Sequence, residues 1–193
     1  SGLWYLDFDG IDDRVQYNAS VATNIAGALT VSVWVKLDVT VANQPDGIPT
    51  IICHQVANLN DRNYAIYITK ATDLLSFNGR NIDGSAYIFE STVAAVGATY
   101  LDDLDWHRVT GVWDRANTTS YVYIDAVARS TDAGQTDADL ETAGSQRLNF
   151  SNQRGQPDTF MDCGITIMDV ETGARSTEEE SYRYGQERQI IGV

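Results

Sequence analysis

Apolar and polar residues alternate along most of this chain with a period of two. In "TVSVWVKL" (30–37), Val31, Val33, Val35 and Leu37 fall on one face and Ser32, Trp34 and Lys36 on the other, which is the pattern of a strand with one buried face. Comparable runs begin at 51 ("IIC"), 64 ("YAIYIT"), 74 ("LLSFN"), 87 ("YIFES"), 107 ("HRVTGVW"), 121 ("YVYID"), 147 ("RLNF") and 164 ("GITIMDV"). Short strands separated by Asn, Asp, Gly and Thr clusters predict an antiparallel sandwich or barrel. The absence of strand–helix–strand alternation argues against a doubly wound or α/β-barrel fold. One helix is expected near the end. In "STEEESYRYG", Ser176 stands three residues before Glu179 in capping-box spacing, acids fill the first turn, and Gly185 is the expected stop. Loops are expected at 38–49, 91–105 and 130–146. No composition break or internal repeat divides the sequence, so 1–193 is read as a single domain.

Composition narrows the partners. A net charge of −14 and 27 Asp and Glu against 13 Lys and Arg speak against nucleic acid, whose phosphates require clustered cations, and against anionic membranes. No window approaches the roughly 20 apolar residues of a membrane span. The same charge suits solubility and a divalent cation. Asp greatly outnumbers Glu, as expected of a loop-rich β protein.

The densest acids lie in "LDFDGIDDRVQY" (6–17), where Asp7, Asp9, Asp12 and Asp13 fall within seven positions. An EF-hand counted from Asp7 would need Gly at Asp12 and Glu at Asn18, and fails. Two readings stay open. Asp9-Gly10 supplies a reversal whose Asp side chains bond nearby amides, or the packed carboxylates hold calcium with oxygens from a distant loop. In the second reading Asp12 and Asp13 are the first ligands, with Asp137 and Asp139 of the 130–146 loop as further candidates. Cys53 and Cys163 form no C-x-x-C unit and are either one long-range disulfide or two buried thiols.

Catalytic patterns are missing. No phosphate loop, zinc motif or nucleophile elbow is present. His54 and His107 have no Ser-His-Asp context, and His107 reads as structural. Sequons at Asn18, Asn117 and Asn149 carry little weight.

"LDFDGIDDRVQY", "TVSVWVK", "WHRVTGVWD", "YVYIDAVAR" and "MDCGITIMDVETGARSTEEE", in that order, resemble the laminin-G-like and pentraxin-like group of concanavalin A-type jelly rolls. The resemblance implies an all-β antiparallel β-sandwich jelly roll with one short C-terminal helix, with Leu6 and Phe8 inward and Asp12 and Asp13 at the turn. Three positions depart from the pattern. Ala126 stands where a strand-end Gly is expected, so the hairpin should turn differently. Arg175 replaces a Leu, and Cys163 is unusual. Trp34, Trp106 and Trp113 are then core residues, with Trp113, beside Asp114 and near Asn117, the best candidate for stacking on a sugar. Glycosidases of this architecture carry E-x-D-x-(x)-E on one strand, and "MDVE" (168–171) lacks the leading Glu.

The expectation is a non-catalytic recognition module at an extracellular or particle surface (secreted, cell-surface or virion) that binds carbohydrate or a surface ligand, with calcium as a candidate cofactor. An architectural protein, such as a virion decoration, fibre or filament component meeting neighbouring subunits, is the alternative. A jelly-roll glycosidase is third.

Overall fold

Alternation along the strands closes two six-stranded antiparallel sheets. The first runs β1 (Leu6–Asp9), β12 (Asp162–Thr172), β3 (Leu29–Leu37), β8 (His107–Asp114), β9 (Thr119–Ile124), β10 (Val127–Ala133). The second runs β2 (Val15–Asn18), β11 (Arg147–Phe150), β4 (Thr50–Gln55), β5 (Arg62–Thr69), β6 (Leu74–Arg80), β7 (Tyr87–Ala94). The structure is a computed structural model and describes residues 3–18, 25–55, 62–81, 86–140, 142, 147–152 and 159–193. Part of the 130–146 loop, at 141 and 143–146, lies outside these.

The inward residues of both sheets form one core. Val31, Val33, Val35 and Leu37 meet Ile66, Ile68 and Phe77, all at most 1% exposed. Each such side chain contributes roughly 1.5–3 kcal/mol by burial. Trp113 sits among them, stacked on Phe89 with ring centroids 5.1 Å apart. Gly111 permits this closeness between sheets, since a Cβ there would lie 2.4 Å from the Phe77 ring.

The helix, α1 (Thr177–Ile191), begins at Ser176 with the expected capping box: the Glu179 amide donates to the Ser176 hydroxyl, and the Ser176 amide to the Glu179 carboxylate. It does not stop at Gly185. It continues two turns further and ends at Gly192, whose φ is +87°. A helical glycine costs about 1 kcal/mol, and docking offsets it. Tyr184 stacks on Trp34 at 5.5 Å, and the Trp34 indole N–H donates to Glu187 at 2.8 Å. Trp34 is therefore buried under the helix, on the outer face of the first sheet, rather than between the sheets.

The inward side of α1 is mostly charged. Arg108, fully buried on β8, donates Nε to Glu187 (2.7 Å), Nη2 to Ser32 (2.9 Å) and Nη1 to Thr110 (3.2 Å) and Glu180. Arg175 donates to Glu180 (2.8 Å) and Glu171 (2.8 Å). The departure at Arg175 is thus one member of a closed ionic network: two guanidinium groups face the buried Glu180 and Glu187.

Other expectations are corrected. Residues 130–133 of the expected 130–146 loop belong to β10, which pairs with β9. The 91–105 segment is largely the end of β7 followed by a wide helical turn at Gly97–Leu101. At the β9–β10 hairpin Ala126 turns as a glycine would: Asp125 and Ala126 take φ of +51° and +61°, as a two-residue hairpin requires. Cys53 and Cys163 are not joined in a disulfide, and both are buried. Cys163 faces the inter-sheet core while Cys53 packs with Ala65 and Tyr67 on the far face of the second sheet, so the two thiols sit on opposite sides of that sheet.

Candidate functional site

The aspartates of "LDFDGIDD" form a turn and an acidic groove together. Asp9 Oδ1 accepts from the Ile11 amide at 2.9 Å, and Asp13 Oδ2 accepts from the Asp9 amide at 3.4 Å. Gly10 has φ +72°, and a Cβ there would come 2.6 Å from Pro45. Carboxylate oxygens of Asp9, Asp12 and Asp13, all exposed, lie within 4.8 Å of one another.

Strand register supplies the rest of the groove. Asp7 and Asp9 share a face of β1, Asp162 stands opposite Asp9 on β12, and the Asp38 amide donates to the Asp162 carbonyl at 3.3 Å. Tyr5, Asp7, Phe8, Asp9, Asp13, Asp38 and Asp162 line a depression of about 380 Å³. Burial, and then the charge of Asp7, raises the Asp38 pKa despite Lys36. Burial, and then Asp38, Asp7 and Asp9, raises that of Asp162. These carboxylates oppose one another's ionisation, and a cation would relieve the repulsion. One wall is aromatic: Tyr5 meets Trp106 edge-on at 5.4 Å, and both pack over Gly164.

Most of the other candidates are placed elsewhere. Trp113 is 0% exposed and presents no ring to solvent, which removes it as a sugar platform. Asp114 and Asn117 satisfy one another, the Asn117 side-chain amide donating to Asp114 at 2.7 Å and its backbone amide at 3.2 Å. Asp137 and Asp139 accept from Arg115 at 2.6 and 2.5 Å. They do not join Asp12 and Asp13, and Asp9 is the third member of that group. His107 lies between Asp125 (2.7 Å) and Asp103 (2.9 Å). Burial works against its charge, but the two carboxylates outweigh it and raise the pKa to about 9. In "MDVE", Glu171 is paired with Arg175 at 2.6 Å, and Asp169 lies 3.9 Å from it. Asn149 is buried, whatever its sequon.

A second polar group had no signal in the sequence, because its members come from six strands. Gln16, Asn149, Cys53, Ala65, Asn78 and Glu90 form one cross-strand row on the face of the second sheet turned away from the core. Asn78 donates to the Tyr67 hydroxyl at 3.0 Å and Asn149 to the Arg147 carbonyl at 3.1 Å. Among the described residues, the buried Oδ1 atoms of Asn78 and Asn149 have no hydrogen-bond partner.

A laminin G family model, described as concanavalin A-like lectin/glucanases superfamily, matches residues 9–179. The chain belongs to this superfamily. No curated protein sequence matches it. Among solved structures, a serotype D botulinum neurotoxin ligand-binding domain in complex with N-acetylneuraminic acid shares the fold with TM-score 0.66 and 15% identity. The match covers 94% of this chain and 41% of that one, so the chain spans under half of the toxin domain. The CBM40 of a Ruminococcus gnavus IT-sialidase, bound to α2,3-sialyllactose, gives TM-score 0.64 at 14% identity over 89% of this chain and 98% of that one. A heptameric SAP-like pentraxin from Limulus polyphemus gives 0.64 at 13% identity, over 91% and 78%. At these identities the likeness is one of fold. As a concanavalin A-like domain, this chain places its acidic turn at the β1 edge of the sandwich and its buried amide row on the side of the second sheet away from the inter-sheet core.

Proposed function

We propose that this domain is a non-catalytic, lectin-like recognition module at a cell or particle surface, and that it binds hydroxyl-rich carbohydrate at the acidic groove with a divalent cation. The observation that carries this reading is the carboxylate group of Asp9, Asp12 and Asp13 within 4.8 Å, continuous with a groove walled by Tyr5. All-oxygen donors fit calcium or magnesium rather than zinc. Asp9, Asp12 and Asp13 would hold the ion, which supplies charge neutralisation and open coordination positions for sugar hydroxyls. Tyr5 offers an aromatic ring beside it, and Asp38 and Asp162 accept hydroxyl hydrogen bonds. An acidic groove favours neutral glycans over carboxylated ones unless the ion bridges them. The complexes of the serotype D toxin domain and of the CBM40 with sialylated ligands support carbohydrate binding by this fold. Among the described residues, no helix is long and apolar enough to cross a membrane.

Three carboxylates make a weak site, of order 10⁻⁴–10⁻³ M for extracellular modules. Ten millimolar calcium against a millimolar Kd would stabilise the fold by about 1.4 kcal/mol. Calorimetric titration of calcium into the wild type and D9N/D12N/D13N tests this. Heat of binding lost in the triple variant is expected, and equal heats from both would sink the metal site.

An architectural role is the second reading, favoured by exposed Trp4, Leu6, Ile11 and Tyr17 at the β1 and β2 edges. Sedimentation showing concentration-dependent oligomers without glycan binding would select it.

A further inference from the structure

β12 is longer than the strand that covers it. It pairs with β3 from Cys163 to Thr172, but β1 pairs with it only from Asp162 to Ile165. From Thr166 to Thr172 its other edge has no strand partner among the described residues. Alternate residues of an antiparallel strand point their amides and carbonyls to one side, so this stretch presents about three of each outward. Exposed edges are ordinarily guarded by charged side chains, Pro, bulges or short length; the guards in "TIMDVET" are the acids Asp169 and Glu171 and the bulge at Ile167, with neither Lys nor Pro.

Pairing stops at a bulge. The β12–β3 register shifts between Thr166 and Met168, and Ile167 takes φ +37°, a conformation that β-branched side chains rarely adopt. Upstream of Leu6, residues 3–5 are outside β1. Trp4 is 92% exposed, and its carbonyl accepts from the Thr166 hydroxyl rather than from the β12 backbone. Trp4, Leu6, Ile165, Ile167 and Met168 line an apolar depression of about 360 Å³ directly beside this edge. Tyr5 is shared between that depression and the acidic groove.

We propose that the Thr166–Thr172 edge receives an extended, basic segment of a partner protein as an added strand, in line with β1. Main-chain hydrogen bonds would supply affinity, and alternate side chains specificity. Its apolar side chains fill the Trp4–Met168 depression, and an Arg or Lys at the end abutting β1 reaches past Tyr5 toward Asp7, Asp38 and Asp162. Charge decides the occupant. A second copy would bring another chain of net charge −14, with its own acidic groove, to the same edge.

The test uses the whole domain in chelating buffer, so that its outcome is independent of any cation site. The probe is a seven-residue peptide alternating Val and Thr with Arg at both ends. Controls replace the arginines by Glu, or the central residue by Pro. Fluorescence anisotropy reads affinity, and amide exchange by NMR reads the edge. The probe should bind and slow exchange of the outward Thr166–Thr172 amides by at least about tenfold, and the Pro and Glu controls should not. Trp4→Ala, at a site too exposed to affect folding, and Met168→Arg should each weaken binding several-fold. Equal binding of the Pro control, binding without edge protection, or unchanged affinity in Trp4→Ala would overturn the proposal. Edge protection appearing with protein concentration alone would assign the edge to a second copy and also overturn it.

Discussion

Removing Arg108 isolates what holds α1 to the sheet. Its guanidinium is fully buried and donates to Glu187, Glu180, Thr110 and Ser32. In Arg108→Met, Glu180 keeps Arg175 and Thr110, whereas Glu187 keeps only the Trp34 indole N–H. One buried negative charge then lacks a cation, and breaking a buried pair in this way costs about 3–5 kcal/mol. At roughly 2–4 °C per kcal/mol for a chain of this size, Tm should fall by roughly 6–20 °C. The double variant R108M/E187M leaves the Arg175–Glu180 pair balanced and the Trp34 N–H without its acceptor. An unsatisfied donor costs about 1–3 kcal/mol, so the double should recover a substantial part of the loss. Urea denaturation followed by tryptophan fluorescence measures the free energies, and near-UV circular dichroism follows the Trp34–Tyr184 stack. A single variant within about 1 kcal/mol of wild type, or a double no more stable than the single, would refute the ionic-latch account.

Three further outcomes are expected. Ala126→Gly should stabilise the domain by about 1 kcal/mol, because Ala126 sits at φ +61° where only glycine is unstrained; destabilisation in a melt would contradict the turn geometry. The folded pKa of His107, about 9, lies above its ordinary value of 6.5, so its contribution is complete below pH 6.5 and is lost as pH rises through 9. His107→Gln should flatten that part of the stability–pH curve, and an unchanged slope would remove His107 as its source. Asp162→Asn should raise stability at neutral pH in chelator, since burial and the neighbouring carboxylates raise the Asp162 pKa and so disfavour its charged form; destabilisation would show that its charge is paired.

The sequence made the strands legible because one face of most of them meets the core. "TVSVWVKL" gave its inward valines directly, and Ser176 and Glu179 gave the start of α1. The helix end was not legible. Glu180, Tyr184 and Glu187 face inward, so the docked side carries no apolar stripe, and Gly185 looked like a stop. The acidic turn was visible as a run of aspartates, but Asp38 and Asp162 join it only through the pairing of β1, β12 and β3. Asp137 and Asp139 looked available as further ligands, but Arg115 pairs with both. Trp113 failed as a ligand residue because position at a strand end does not reveal which face a side chain takes. The amide row of Asn78 and Asn149 depends entirely on register across six strands.

The central claim is that the acidic groove recognises glycan with a cation. It is tested most directly by a glycan array probed with the purified domain in millimolar calcium and again with chelator, alongside D9N/D12N/D13N. Binding to neutral glycans that disappears both with chelator and in the triple variant is the predicted result. Silence of the wild type in both conditions, or binding indifferent to calcium and to the three substitutions, would contradict it.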